Sequence, residues 1–331
     1  MPPQKTYWHL LNNRRMPSEY ELVSSCLHYY VTRGFEVQVP VQHWYQQYQQ
    51  GSRLTCSNWE QFADPRQTTY AKYMTIQAAQ ETFVDGLLEL LESTAYDTGL
   101  ATTWTRILAR AFAPLRYPCH ALQMVASYVG QMGPSGRITL VGMFQAADEI
   151  RRVQRLAYRL RQLQLSHPGF GDDSKALWQH DPLWQPLREA LERLLITYDW
   201  GEAFTALNLV LKPMLDQTFM VQFGRLARQE GDYVLQQLFA SLHADCQWQQ
   251  QWSQELVRLA VQDTPANQPV LQGWIDQWYP VVGRAVHAFA PLFDDMPARP
   301  EALPFAEVVA EVEAAWAAYV CQTGLASPAL G

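Results

Sequence analysis

Apolar residues recur every three or four positions through most of the chain after residue 60, which is the period of an amphipathic helix. The first such pattern covers residues 70–91, and Asp64 with Pro65 is its expected start, as N-cap and first helical residue. A second pattern covers 104–132 and a third covers 138–163. Three long helices are therefore expected in the first half of the chain.

Prolines and glycines divide these patterns. Pro114 and Pro118 should break the second pattern, because proline cannot donate the helical hydrogen bond. The Gly and Pro residues at 133–136 separate the second pattern from the third, and a loop at 166–169 ends the third. Two long antiparallel helices are expected on either side of 133–136.

The second half of the chain repeats this organisation. No strand pattern is convincing after residue 60, and no repeat of fixed period is present, which disfavours a solenoid. Long helices joined by short loops indicate an all-α bundle of the four-helix type with extra helices packed outside it. The further helical patterns cover 182–198, 199–229, 232–262, 268–290 and 304–322.

Residues 1–60 differ from the rest, because they are rich in aromatic residues but hold no sustained period. We interpret them as an extended N-terminal arm, and residues 61–331 as the helical domain. An irregular segment with many large apolar side chains gains stability by lying on another surface. That surface could belong to a partner subunit or to the arm's own domain, and composition favours neither.

Composition adds a hint of hidden surface. The 331 residues are 48% apolar and only 17% charged, whereas an average soluble domain carries about 25% charged residues. Of the 25 basic residues 21 are Arg, the cation that suits interface ion pairs, although a GC-rich genome explains the bias equally well. With a net charge of -7 and no basic run longer than a pair, nucleic acid is not an expected partner.

Targeting signals and disulfide patterns are not apparent. No stretch approaches ~20 uninterrupted apolar residues and no signal peptide is recognisable, so we expect no membrane association and a cytoplasmic location. Five cysteines lie far apart without a C-x-x-C motif, which favours reduced thiols over disulfides or a zinc site. They are Cys26, Cys56, Cys119, Cys246 and Cys321.

Helical bundles of this size often hold a dimetal site built from Glu-x-x-His pairs, because that spacing points both side chains inward. None of the eight histidines has a carboxylate three residues before it, and H-x-x-x-H and H-E-x-x-H are also absent. We therefore predict no metal-binding, cofactor-binding or catalytic residue in this chain.

Helical carboxylates occur nonetheless, and we interpret them as exposed or capping residues rather than as a catalytic cluster. Asp199 is the expected N-cap of a helix, with Glu202 at capping-box spacing. The carboxylates considered are Glu81, Asp85, Glu89, Asp148, Glu149, Asp199 and Glu202.

Two further features are better explained by packing than by chemistry. Cys119 and His120 are neighbours on a helix and point about 100° apart, so they should not form a nucleophilic dyad. Tryptophans at i, i+4 spacing could form a ligand platform but are more often packing anchors. The pairs are Trp248 with Trp252 and Trp274 with Trp278.

Several blocks of the sequence resemble the β subunit of soluble multicomponent diiron monooxygenase hydroxylases, and the branch that they are most similar to is the four-component toluene and alkene monooxygenases. The blocks follow the family's order over about residues 5–290, and the tail after about 290 matches no motif. They are TYWHL at 6–10, RRMPSEYE at 14–21, LHY at 27–29, DPRQ at 64–67, PLRY at 114–117, HALQM at 120–124, DWGEAF at 199–204, NLV at 208–210 and KPM at 212–214.

The resemblance implies a ferritin-like helical subunit without metal ligands, paired with a related α subunit that carries the diiron centre and with a γ subunit, as (αβγ)2. An effector protein, a Rieske-type ferredoxin and an NADH-dependent reductase serve such a complex. It inserts one oxygen atom of O2 into a hydrocarbon, toluene-like or an alkene, and reduces the other to water. The absence of Glu-x-x-His motifs agrees with a β subunit and contradicts an α subunit.

The leading hypothesis is therefore a non-catalytic structural β subunit whose bundle supports the α subunit and whose arm clasps neighbouring subunits. Two alternatives stay open at this point. One is an autonomous helical metalloenzyme with a carboxylate-bridged metal, and the other is a helical module that binds a ligand between its Trp-bearing helices.

Overall fold

The computed structural model describes residues 16–25, 40–92, 94–296 and 304–328. All regular elements in these ranges are helical. The α-helices are α1 Glu19–Ser24, α2 Pro40–Tyr45, α3 Tyr70–Glu92, α4 Thr102–Ala111, α5 Arg116–Met132, α6 Gly136–Ser166, α7 Ser174–His180, α8 Gln185–Leu195, α9 Trp200–Phe204, α10 Lys212–Asp216, α11 Gly224–Gln229, α12 Tyr233–Asp263, α13 Asn267–His287, α14 Pro291–Asp294 and α15 Phe305–Gln322.

The predicted antiparallel pair is confirmed as α5 and α6, joined by the turn at 133–135. The two helices approach most closely where Gly130 faces Gly142, because a Cβ atom on Gly142 would lie 2.4 Å from the Gly130 Cα. Only a residue without a side chain permits this approach. The break at Pro114 is also confirmed, since α4 ends at Ala111 and α5 begins at Arg116. The break expected at Pro118 is wrong, because Pro118 lies in the first turn of α5, where its missing N–H costs no helical hydrogen bond.

The predicted start of the first long helix is wrong. α3 begins at Tyr70 rather than at Asp64. The Asp64 side chain instead accepts hydrogen bonds from the backbone N–H groups of Arg66 and Thr68, at 3.0 and 2.8 Å. This Asx-type turn, with Gln67 at a φ of 49°, competes with helix formation.

The pattern at 199–229 forms a single helical rod, but one of mixed geometry. Two π-helical segments, Thr205–Leu211 and Gln217–Phe223, alternate with α9, α10 and α11. π-Helical turns are rare and often lie beside functional positions. Here they flank α10, which brings its polar residues to the centre of the bundle.

The described part of the N-terminal arm packs on its own bundle. Trp44 donates from Nε1 to the Tyr128 hydroxyl of α5 at 3.1 Å. Ser52 donates to Asp199 at 2.6 Å, and the Asn267 amide accepts from the Thr55 backbone N–H at 3.1 Å. Residues 1–15 and 26–39 of the predicted arm lie outside the described residues.

A large apolar core runs through all the long helices and is lined by fully buried tryptophans. Arginines also enter this core, and Arg152 and Arg159 are each 1% exposed. Part of the arginine surplus that we associated with subunit interfaces is therefore inside the chain's own bundle. Among the residues described, no helix is both long and apolar enough to cross a membrane.

Candidate functional site: a buried ionic centre

Charged side chains converge where α3, α6, α10 and α12 meet. α6 supplies most of them, because its charged residues fall on inward positions at spacings of three and four. Its buried charged residues are Asp148, Glu149, Arg151, Arg152, Arg155 and Arg159. α10 adds Lys212 and Asp216, and α12 adds Asp245.

The innermost cluster consists of two carboxylates and two cations. Lys212 Nζ lies 2.6 Å from Glu149 Oε1 and 2.9 Å from Asp216 Oδ2. Arg152 Nη1 lies 2.8 Å from Asp216 Oδ1 and 3.3 Å from Glu149 Oε2. Each cation bridges both carboxylates, and none of the four side chains is more than 3% exposed.

Mutual attraction keeps Asp216 and Lys212 ionised despite their burial. Burial alone would raise the pKa of Asp216, but Arg152 and Lys212 hold that pKa well below its usual range. Burial and Arg152 would lower the pKa of Lys212, but Asp216 and Glu149 hold it above its usual value. Ions taken out of water are tolerated only when paired in this way. The charges balance, so the cluster is neutral as a whole.

A second cluster surrounds Asp148. Its carboxylate accepts hydrogen bonds from the Tyr73 hydroxyl at 2.8 Å, Gln77 Nε2 at 3.0 Å and Gln249 Nε2 at 2.8 Å. All of these donors are neutral side chains. Burial and the nearby carboxylate of Asp245 raise the pKa of Asp148 well above its usual value, against the hydrogen bonds that lower it.

Asp245 connects this second cluster to the outer ion pairs. It accepts from Gln77 Nε2 at 3.0 Å and pairs with Arg151 Nη1 at 2.9 Å. Arg151 also pairs with Glu81 of α3 at 2.6 Å. The ion pairs thus tie α3, α6 and α12 together at one level of the bundle.

The expectation that the helical carboxylates are exposed or capping residues is wrong for Asp148 and Glu149, which are 1% and 0% exposed. It is confirmed for Asp199, which accepts from the backbone N–H groups of Gly201 and Glu202. Glu202 does not complete a capping box. Its carboxylate accepts instead from Trp278 Nε1 at 3.1 Å.

The arrangement does not fit the diiron centre that the resemblance implies for the family. A dimetal site needs carboxylates that are free to ligate, with imidazole nitrogens beside them. Here Arg152 and Lys212 occupy the space between Glu149 and Asp216. Within the ranges described, no group of three or more His, Cys, Asp or Glu residues could hold a metal ion.

The Cys119–His120 pair does not form a dyad, because Cys119 is buried and His120 is exposed. Burial raises the pKa of the Cys119 thiol to about 12, so it is not a nucleophile at neutral pH. The four described cysteines, Cys56, Cys119, Cys246 and Cys321, form no disulfide with one another, as expected. Cys26 lies outside the described residues.

The tryptophan pairs are packing anchors. Trp248 donates to the Asp64 carboxylate at 2.9 Å and lies under the Arg66 guanidinium, 4.1 Å from the ring centroid. Trp252 packs against Phe62 and Phe204. Trp274 and Trp278 are also buried. Together they join the arm and the turn before α3 to the bundle.

The sequence analysis gave no role to Lys212, which it quoted only within the KPM block, and it did not single out Asp216 or Asp245. One local signal was present for the first two, because they stand four residues apart within an otherwise apolar run. Asp245 carries no such signal, since its partner Arg151 lies 94 residues away.

Comparison with known proteins agrees with the resemblance. The sequence model of the family described as methane/phenol/alkene hydroxylase matches residues 44–264. The β subunit of the hydroxylase component of the toluene-4-monooxygenase system of Ectopseudomonas mendocina is 37% identical over 306 residues, which is 90% of this chain and 93% of that protein. The oxygenase component DmpL of phenol 2-monooxygenase from Pseudomonas sp. strain CF600 is 26% identical over 73% of this chain and 72% of its own length.

Solved structures give the same result. A chain of toluene 4-monooxygenase, solved with toluene bound in its resting active site, matches with a TM-score of 0.84 and 37% identity, covering 88% of this chain and 98% of that one. A chain of phenol hydroxylase from Pseudomonas sp. OX1 has the same fold, with a TM-score of 0.88 at 20% identity over 100% of this chain and 98% of its own. The all-α, ferritin-like fold is thereby confirmed. The chain belongs to the methane/phenol/alkene hydroxylase family, as a homologue of the β subunit of the toluene-4-monooxygenase hydroxylase.

Proposed function

We propose that this chain is a non-catalytic structural subunit of a multicomponent monooxygenase hydroxylase. A related α subunit would carry the diiron centre, and a γ subunit would complete an (αβγ)2 assembly. An effector protein, a Rieske-type ferredoxin and an NADH-dependent reductase would serve it. The hydrocarbon, toluene-like or an alkene, would bind in the α subunit.

One observation carries this proposal. Lys212 and Arg152 neutralise Glu149 and Asp216 from inside the bundle, at 2.6–3.3 Å. Buried cations repel a divalent metal, and each oxygen of the two carboxylates already faces a protein cation. A bundle whose polar centre is filled in this way supports a neighbouring subunit and does not itself activate O2. The two alternatives, an autonomous metalloenzyme and a ligand-binding module, are not favoured.

The outer face of α6 is the surface that we assign to a partner subunit. Its apolar residues follow one stripe along a helix of 31 residues. Met143, Ile150, Tyr158 and Leu165 are 46–70% exposed, which is typical of an interface rather than of a solvated helix. A helix of the related α subunit, apolar along the same length, would cover this stripe.

Co-expression with candidate α and γ subunits tests the assignment. The tagged chain should co-purify with both in equal amounts. The double variant Ile150→Glu with Tyr158→Glu should lose α, because it places charges in an apolar contact. Ala314→Glu, which adds a charge at an exposed position of α15, should retain α. Failure of the wild-type chain to bind α would overturn the subunit proposal, and a double variant that binds normally would overturn the docking face.

A further inference from the structure

A small cavity lies beside the innermost ionic cluster, between α10 and α12, with Pro213 and the half-buried Gln250 at its edge. Its volume is about 10 Å³, which is the space that one buried water molecule needs. Asn208, Lys212, Asp216, Cys246 and Gln249 line it and are all at least 96% buried.

Two of the lining residues have polar capacity that no protein group uses. The Lys212 ammonium has three N–H donors but only two carboxylate partners, Glu149 and Asp216. The Oε1 atom of Gln249 is buried and accepts no hydrogen bond. A buried polar atom left without a partner costs about 1–3 kcal/mol, so such atoms normally hold an ordered water.

The orientation of Gln249 is fixed by its other end. Its Nε2 atom donates to Asp148 Oδ2 at 2.8 Å. Exchanging the amide oxygen and nitrogen would remove this donor and turn the amide oxygen toward Asp148, while leaving Nε2 without a partner at the other end. One unpartnered polar atom of Gln249 therefore remains in either orientation.

Among the other lining side chains, Asn208 already has its amide hydrogen-bonded within the core. Asn208 donates to Gln145 Oε1 at 3.2 Å and to Ser253 Oγ at 3.1 Å, and it accepts from Gln145 Nε2 at 2.9 Å. The adjoining ionic cluster is neutral, so it does not attract a single ion of either sign. A neutral molecule that both accepts and donates fits the site.

We propose that one structural water occupies this cavity, accepting from Lys212 Nζ and donating to Gln249 Oε1. The water joins the Glu149–Arg152–Lys212–Asp216 cluster to Asp148 through the Gln249 amide. The two buried clusters then form a single hydrogen-bonded network from α10 to α3.

A crystal structure at about 1.5 Å resolution tests this directly. The expected result is a full-occupancy density peak within hydrogen-bond distance, about 2.7–3.2 Å, of both Lys212 Nζ and Gln249 Oε1. An empty cavity in such a map would overturn the proposal. Anomalous scattering from the peak in crystals soaked with rubidium or bromide would also overturn it, because the site would then hold an ion.

Two glutamine variants test whether the water depends on Gln249 itself or on any buried glutamine of the core. Gln249→Met removes the acceptor at similar volume, and its map should lose the peak. Gln222→Met changes another buried glutamine of the core. Neither Gln222 nor its partners Glu311 and Arg225 line the cavity, so the peak should remain. A peak that persists unchanged in Gln249→Met would contradict the bridging role, and loss of the peak in Gln222→Met would contradict its location.

Discussion

Lys212 Nζ lies 2.6 Å from Glu149 Oε1 in the fully buried centre of the bundle, across 63 positions of the sequence. The contact places a protein cation between carboxylates of facing helices. In bundles that bind two metals, the same kind of position is where carboxylate ligands meet the ions. The sequence lacks the Glu-x-x-His ligands of a dimetal site, and in the core a lysine ammonium pairs with the carboxylates instead.

Removing that cation should be costly. Lys212→Met leaves Glu149 and Asp216 with only Arg152 between them, and breaking a buried ion pair typically costs about 3–5 kcal/mol. Urea denaturation should therefore show a clearly lower midpoint for this variant. Lys175→Met removes an exposed lysine and should change the free energy of unfolding by less than about 0.5 kcal/mol, with almost no shift of the midpoint. Equal midpoints for the two variants would contradict the role of Lys212.

Asp148 should make the free energy of unfolding depend on pH. Its pKa is raised in the folded state, so its contribution to stability is fully present below its unfolded pKa, about 3.9. It is lost as the pH rises through the folded pKa. Asp148→Asn should remove this loss, so that the free energy of unfolding falls less between acid and neutral pH. Asp85→Asn, at an exposed site, should keep the wild-type dependence of the unfolding free energy on pH. The same dependence in Asp148→Asn would show that Asp148 is not its cause.

The ionic centre should make the free energy of unfolding fall as the pH becomes more acid. The pKa of Asp216 is lowered on folding, so its stabilisation is present above its unfolded pKa, about 3.9, and is lost as the pH falls through the folded value. The wild type should therefore lose stability below about pH 4. This loss should be absent from Asp216→Asn, whose unfolding is followed by circular dichroism over the same range. A wild-type acid slope in that variant would rule out this cause.

Two glycines in helices should respond to alanine in opposite directions. Gly142→Ala places a Cβ atom 2.4 Å from the Gly130 Cα, a clash with backbone that forces α5 and α6 apart. Gly86→Ala on α3 meets nothing within 4 Å and should stabilise by about 0.5–1 kcal/mol through helix propensity. Thermal denaturation should give a lower Tm for the first and a higher Tm for the second. An unchanged Tm in Gly142→Ala would show that the two helices do not need this close approach.

The N-terminal arm should contribute both to assembly and to the stability of its own bundle. Its described residues contact that bundle, since the Tyr20 hydroxyl accepts from the Asp64 backbone N–H at 3.0 Å and Trp44 donates to Tyr128 at 3.1 Å. Deleting residues 1–58 should therefore lower the Tm while helix content by circular dichroism stays largely intact. If the arm also clasps neighbouring subunits, the same deletion should reduce co-purification of the α subunit. Normal assembly without residues 1–58 would disprove the clasp.

The sequence predicts the long helices well, because their apolar period is local information. α6 was expected over 138–163 and spans Gly136–Ser166. The start of α3 was not predictable in the same way. Trp248 and Arg66 stabilise the turn at Asp64, and Trp248 lies 184 residues away from it. A local capping signal cannot report such a contact.

The ionic centre was missed for a related reason. Asp148 and Glu149 stand next to arginines on a long helix, which is equally typical of a solvated face. Glu149 is buried against Lys212 of a distant helix. Asp148 is buried against neutral donors of α3 and α12, which are equally distant in sequence. The π-helical segments on both sides of α10 also rotate it away from a regular helical period, which weakens the sequence signal further.

The metal content of the isolated chain tests the central claim most directly. The chain, expressed alone in iron-supplemented cells and purified without chelators, should contain far less than one iron or manganese atom per molecule by mass spectrometry. The co-purified assembly should contain iron in proportion to its α subunit. Near-stoichiometric metal in the isolated chain, lost on substituting Glu149 or Asp216, would contradict the account and identify the ionic centre as a metal site.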